Sequence, residues 1–259
     1  MKNLLKLTSV LCAIAMVAVL AIGCGGNLGR LAEEGYLTMG TNAEFPPFEF
    51  RSNAPTAVDG VDGIDIAIAR LIAEELGLQL RVVDMAFDSL IPAVQAGQID
   101  VAIAGMTITE ERAQSVNFTV AYYTAAQVIV AAEGTTIASA ADLEGLTVGV
   151  VLGYTGDIAV SRMDDVEVIR SNSGVESILE LVNGRVDAVV IDRAPAEAMI
   201  AQHPGLITIE DPAVFSSENY GMAIRLDNTE LLNEFNTILQ RLIADGTIDT
   251  ISAYYIAGM

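Results

Sequence analysis

The sequence predicts an α/β protein of two lobes, each a mainly parallel sheet flanked by helices, joined by a two-stranded hinge. Three observations predict it. Apolar runs of strand length alternate with amphipathic stretches of helix length, the alternation restarts near Gln127, and the segments around 124–127 and 216–220 read as strands crossing between the lobes. No Pro/Gly/Ser-rich linker separates the halves, which gives 36–123 plus 221–259 for the first lobe and 127–216 for the second.

Ahead of the fold, Lys2 and Lys6 precede an apolar run from Leu11 to Ile22. This is the short charged-then-apolar build of a secretion signal, residues 1–23, and it is short for a bilayer span. The run ends in Ala21-Ile22-Gly23-Cys24, which resembles a bacterial lipobox with Ala21 where leucine is usual. The resemblance implies Cys24 as the lipidated first residue of the mature chain. Residues 24–35 then read as a lipidated N-terminus and tether.

The first lobe opens on a strand, Tyr36-Leu37-Thr38-Met39-Gly40. Prolines 46 and 47 make the following stretch a loop that displays Phe45 just past a strand end, the place where α/β sheets bind ligands. Asp65 to Leu76 carries Ile68, Leu71, Ile72 and Leu76 at helical spacing with Gly77 as its stop, and Leu78 to Val83 is a strand. Phe87 to Gly97 is a helix entered through a capping Asp88-Ser89 pair.

Val101 to Ala104 is a strand that ends in Gly105, Thr107, Thr109 and then Arg112, at the first turn of a helix. That layout can grip a carboxylate. Gly105 lets backbone approach closely, Thr107 offers a hydroxyl and an N–H, and Arg112 offers a planar fork of donors. Taken alone, the same residues are also a strand, a turn and a surface arginine.

The second lobe repeats the pattern. Gln127 to Val130 is a strand, Leu146 to Val151 another, followed by a Gly153-Tyr154-Thr155-Gly156 turn and a helix. Val166 to Arg170, a helix from Ser173 to Val182, and the strand Asp187 to Ile191 come next, with Asp192 at the strand's end. Glu218 to Ile224 reads as one further strand, and helices Thr229–Ala244 and Thr247–Tyr255 complete the fold.

Composition bounds the partners. At 259 residues and 52% hydrophobic content, the chain can bury one large core or two smaller ones. Mean hydropathy is +0.47, part of it contributed by the signal segment. Both lysines lie in that segment, so its removal leaves eleven arginines against 34 acidic residues. Such a surface repels nucleic acid and anionic lipid, and would suit a salty or acidic medium. Cys12 also lies in the signal, so only Cys24 remains and no internal disulfide holds the fold.

Several motifs, in order and at matching spacing from Tyr36 to Ala253, resemble the extracytoplasmic solute-binding proteins of ABC uptake systems for polar amino acids. They are Gly40-Thr41 with Phe45-Pro46-Pro47-Phe48-Glu49, Gly63-Ile64-Asp65-Ile66, Phe87 to Ala93, Gly105 to Arg112, Asp142 to Gly145, Asn183 to Ala188 and Tyr220-Gly221-Met222-Ala223. The resemblance implies the type II periplasmic-binding-protein fold and a monomer without cofactor or metal. It also implies an extracytoplasmic location on the outer face of the cell membrane or in the periplasm, with the membrane subunits of an ABC transporter as partners.

Residue by residue, the resemblance implies that Arg112 pairs with a ligand α-carboxylate, helped by Gly105 and Thr107. Thr155 adds an N–H and Asp192 holds the α-ammonium. Phe45 and Phe87 sandwich the ligand side chain, glutamine-like or arginine-like, and Asn42 faces its polar end. Read without the resemblance, Asp192 caps the next helix and both phenylalanines are core. Asn42 is neutral where members reading cations often carry an acid, Ala67 replaces a common aspartate and Tyr154 a common threonine.

Two other functions fit the same architecture. A secreted dehydratase acting on cyclic carboxylates needs a general acid, and only a carboxylate such as Glu44 could serve. The single histidine, His203, falls in an Ala-Gln-His-Pro-Gly turn, and no Ser-His-Asp set, metal-spaced cluster or phosphate loop appears. A sensory ectodomain would need a second membrane segment or signalling domain, and none is expected before Met259.

Overall fold

The structure, a computed structural model, describes residues 27–258. The signal segment and Cys24 lie outside the described residues. The first element, helix α1 (Asn27–Glu34), falls in the stretch expected to be a tether. Eight residues make barely two turns, too few for periodicity to stand out in sequence. Leu31 is nonetheless fully buried, with Leu28 packed beside it on the same face.

The chain continues through β1 (Tyr36–Thr41) and the short strands β2 (Glu44–Phe45), β3 (Glu49–Arg51) and β4 (Val61–Asp62), which pair among themselves. Then come α2 (Ile64–Glu75), β5 (Gln79–Asp84), a 3-10 turn (Phe87–Ser89) that leads into α3 (Leu90–Gln95), β6 (Val101–Ala102), the single-turn α4 (Glu110–Ala113) and β7 (Asn117–Phe118). The β1 and β5 strands run parallel from Tyr36 opposite Gln79 to Thr41 opposite Asp84, and β6 is parallel to β1 on its other side.

After β8 (Tyr123–Ala125) the second sheet begins with β9 (Gln127–Ala132), followed by β10 (Thr147–Val151), α5 (Thr155–Val160), β11 (Glu167–Ser171), α6 (Gly174–Val182), β12 (Ala188–Asp192), α7 (Arg193–Ile200) and β13 (Leu206–Ile209). Its order is β11-β10-β12-β9-β13, parallel through the first three and antiparallel at β9. The return runs through β14 (Glu218–Tyr220) and β15 (Ala223–Ile224) to the closing helices α8 (Thr229–Ala244) and α9 (Thr247–Ala257). On α8 the buried set Leu231, Phe235, Ile238, Leu239 and Leu242 keeps helical spacing.

The expected single strand from Glu218 to Ile224 is two. β14 pairs antiparallel with β8, Tyr220 opposite Tyr123, to form the two-stranded crossing between the sheets. β15 enters the first sheet, which has the order β5-β1-β6-β15-β7. Gly221 is where the chain changes partner. A Cβ there would lie 2.8 Å from the Ile108 side chain, so the tight passage needs glycine.

The described residues form one main core that continues from the first sheet to residues of the second, among them Val128, Tyr154 and Ile178. A smaller core of Ile129, Val148, Val150 and Phe215 lies on the second sheet's other side. Inside the main core sit two carboxyl groups. Asp65 accepts the Gly105 N–H at 2.8 Å and the Tyr122 hydroxyl at 2.9 Å. Glu49 is fully buried with no donor aimed at either oxygen. A protonated Glu49 that donates to Asp65 resolves that deficit, and burial together with the neighbouring Asp65 charge holds its pKa well above the carboxylate range. Burial also pushes Asp65 up to about 6.

Both carboxyls titrate at higher pH in the folded chain than in the unfolded one. Their protonated forms therefore stabilise the fold fully below the ordinary carboxylate range, and that contribution is lost as pH rises through their raised folded-state values, about 6 for Asp65. Glu49→Gln cannot ionise and still offers an N–H to Asp65. Its Tm, followed by circular dichroism, should fall less than that of the wild type as the pH is raised above the ordinary carboxylate range. Parallel Tm curves would contradict the assignment.

Candidate ligand-binding cleft

Arg112 leaves the first sheet's edge on α4, whose N-cap Thr109 accepts the Arg112 N–H. Its guanidinium reaches across to the second lobe. Nη1 donates to the Thr107 carbonyl at 2.7 Å and Nη2 to the Gly153 carbonyl at 2.9 Å, with the Phe87 ring 5.2 Å away. Eight other arginines pair with a carboxylate within 4.0 Å. Arg112 is the only buried arginine among the described residues, and it has no such partner there. Burial lowers its pKa, and the nearby charges of Asp192 and Glu218 oppose that shift. A guanidinium does not deprotonate in proteins, so a positive charge stands here against neutral carbonyls.

Asp192 ends β12, opposite Gln127 of β9, and is 3% exposed. It does not cap α7, because its side chain makes no capping hydrogen bond. Instead Oδ1 accepts the Tyr220 hydroxyl at 2.6 Å. Burial pushes its pKa up to about 6, held down in part by hydrogen bonds from Tyr220 and Gln127. Arg112 and Asp192 thus rise from the two lobes toward one another, each buried and neither neutralised by an ion pair among the described residues.

The other expected residues gather at the same place, with several engaged differently. The Gly105 N–H is taken by Asp65, and with φ at 51° the glycine admits the Phe45 ring, which a Cβ would meet at 2.5 Å. Thr107 and Thr155, from opposite lobes, both donate their hydroxyls to one oxygen, Oε2 of Glu218, at 2.9 and 2.7 Å. Gln127 donates to Thr155 Oγ1 at 3.0 Å. Phe45 and Phe87 are both buried, and the Tyr154 ring lies against each of them, at centroid distances of 5.3 and 4.5 Å. Asn42 Oδ1 stands 3.4 Å from the Tyr154 hydroxyl, and its Nδ2 donates to the Met85 carbonyl.

Glu218, Gln127 and Tyr220 were not foreseen from sequence. The one signal for Glu218 was its place two residues before the Tyr220-Gly221 motif, on a strand that belongs to neither large sheet. Beside it a cavity of about 570 Å³ opens between the lobes, lined by Glu110, Glu111, Thr155, Arg162 and Glu218 among others. Among the described residues no cluster of His, Cys, Asp and Glu could hold a metal ion.

The chain belongs to the bacterial extracellular solute-binding proteins, family 3, whose pattern matches residues 37–258. Among its relatives is the L-arginine-binding protein of Pseudomonas aeruginosa, 33% identical, with 94% of this chain and 96% of that protein aligned. A protein of Neisseria gonorrhoeae bearing the name "Probable histidine-binding protein" is 31% identical over 95% of this chain and 94% of its own length. The arginine-bound form of truncated ArgBP from T. maritima superposes with a TM-score of 0.76 at 44% identity, covering 82% of this chain and 99% of that one. The fold is accordingly the type II periplasmic-binding-protein fold, and these relatives are binding proteins, not enzymes.

Glu218→Ala would leave the Thr107 and Thr155 hydroxyls without their shared acceptor. Urea denaturation should show a loss of about 1–3 kcal/mol, the range for stranding buried polar groups. A loss below about 0.5 kcal/mol, the scale of an ordinary surface substitution, would mean that water replaces the carboxylate at no cost.

Proposed function

We propose that the protein binds a free, cationic amino acid of the arginine type in this cleft and delivers it to an ABC permease, tethered outside the cytoplasm through a lipid on Cys24. The single observation that carries the reading is the pair of buried, unneutralised charges, Arg112 from one lobe and Asp192 from the other. Charges removed from water cost several kcal/mol each unless matched, and an α-amino acid carries the two opposite charges that match them. Binding both poles bridges the lobes, so occupancy and closure are one event that a membrane partner can read.

Electrostatics favours a cationic side chain over glutamine. Two carboxylates, Asp192 and Glu218, act on the Arg112 charge, so the fixed charges sum to a negative value before any ligand enters. At the slot's far end the Tyr154 hydroxyl lies in the field of Asp192 and Glu44, opposed by that of Arg112. A zwitterion leaves that surplus unchanged, whereas a guanidinium offsets it. The names of the arginine-binding relatives support the same ligand. The charged-then-apolar N-terminus with its small-residue run into Cys24 supports the tether.

Calorimetry of the mature chain against arginine tests the reading in two ways. Arg112→Ala should weaken binding by about 30-fold or more, the cost of about 2–5 kcal/mol for truncating one partner of a buried charge pair. The Asp192 carboxyl must be ionised to accept an ammonium. Since its pKa in the free protein is about 6, affinity should hold above pH 6 and fall as the pH drops below it, by at most tenfold per unit. Arginine affinity that ignores both the substitution and the acid would place the ligand elsewhere.

A further inference from the structure

We propose that Tyr154 is the cleft's built-in occupant: from the second lobe, its ring fills the slot that the ligand side chain takes, and so decides which side chains enter. The inference rests on the amino-acid reading above, and it goes further by assigning a role to a residue outside the proposed ligand contacts. Three residues of the first lobe define the side-chain end of the cleft, and Tyr154 touches all of them. Its ring meets Phe87 at 4.5 Å and 62°, and Phe45 at 5.3 Å and 88°, both edge-to-face geometries. Its hydroxyl reaches Asn42 Oδ1 at 3.4 Å. Only 5% of the residue is exposed.

The backbone explains why the ring sits there. Tyr154 follows Gly153, whose carbonyl accepts from Arg112, so the contact that draws the lobes together at the carboxylate end also drives the next side chain into the slot. An apolar plane with a polar tip resembles, in size and polarity, a long amino-acid side chain with a polar end. Ring and long side chain cannot share the space between Phe45 and Phe87. A ligand with a long side chain therefore displaces Tyr154 and bears the cost of uncovering it, whereas a ligand with little or no side chain leaves it in place.

The test is calorimetry of the wild type and Tyr154→Thr against arginine and glycine. Tyr154→Thr should bind arginine at least tenfold more tightly than the wild type, with a clearly smaller gain for glycine. In the wild-type chain labelled with 3-fluorotyrosine, the Tyr154 fluorine resonance, assigned by its loss in Tyr154→Phe, should move to a solvent-exposed position when arginine saturates the protein. This second measurement holds even if the threonine variant folds poorly. Arginine bound equally or less tightly by Tyr154→Thr, or a Tyr154 resonance that arginine leaves unmoved, overturns the proposal while the amino-acid reading stands. If neither protein binds any amino acid, the amino-acid reading fails and the proposal falls with it.

Discussion

A guanidinium buried between two lobes and answered only by carbonyl oxygens is the constraint on which the rest of the cleft depends. In a chain with 34 acidic residues, a carboxylate partner for Arg112 would be easy to supply, and eight exposed or half-exposed arginines have one. The Thr107 and Gly153 carbonyls orient the fork without cancelling its charge. The desolvation cost is tolerable because Asp192 and Glu218 lie close enough to act through the field, though too far to form an ion pair. The site thereby keeps a positive charge that carbonyl dipoles orient but do not cancel, which is the charge the proposed ligand's carboxylate would meet.

The crossing strands make that arrangement mechanical. β8 and β14 form a narrow ladder, and Tyr220 at its end serves both sides. Its hydroxyl holds Asp192, its ring packs on Phe48 and Tyr123, and its backbone bridges Thr107. Glu218, two residues back, ties Thr107 of one lobe to Thr155 of the other. The acceptor between the two threonines thus stands on the ladder that joins the two sheets. Beneath it, the buried Asp65 carboxyl holds the Gly105 turn and Tyr122.

The fold was largely legible in sequence because strand and helix periodicities are long-lived signals. The strand ending at Asp192, the helix after Ser173 and the closing pair of helices all stand within a residue or two of their expected bounds. What escaped was short or set by tertiary contact: the eight-residue α1, and the break at Gly221, which exists because Ile108 packs where a side chain would go. In the cleft, Arg112 was legible because glycine, threonine and arginine follow a strand end in a fixed local order. Glu218 and Gln127 were not, since their meaning arises only when residues up to 111 positions apart converge. Tyr154 was visible as an unusual residue in its turn, but no local pattern indicates that its ring crosses the cleft to Phe45 and Phe87.

The most direct measurement is a crystal structure of the mature protein grown with arginine. The α-carboxylate should lie within hydrogen-bond distance of the Arg112 guanidinium and the α-ammonium on the Asp192 carboxylate, with both lobes in contact with the ligand. Arginine bound away from these two groups, or Arg112 and Asp192 still engaged only with Gly153, Thr107 and Tyr220 beside an occupied site elsewhere, would contradict the assignment of the cleft.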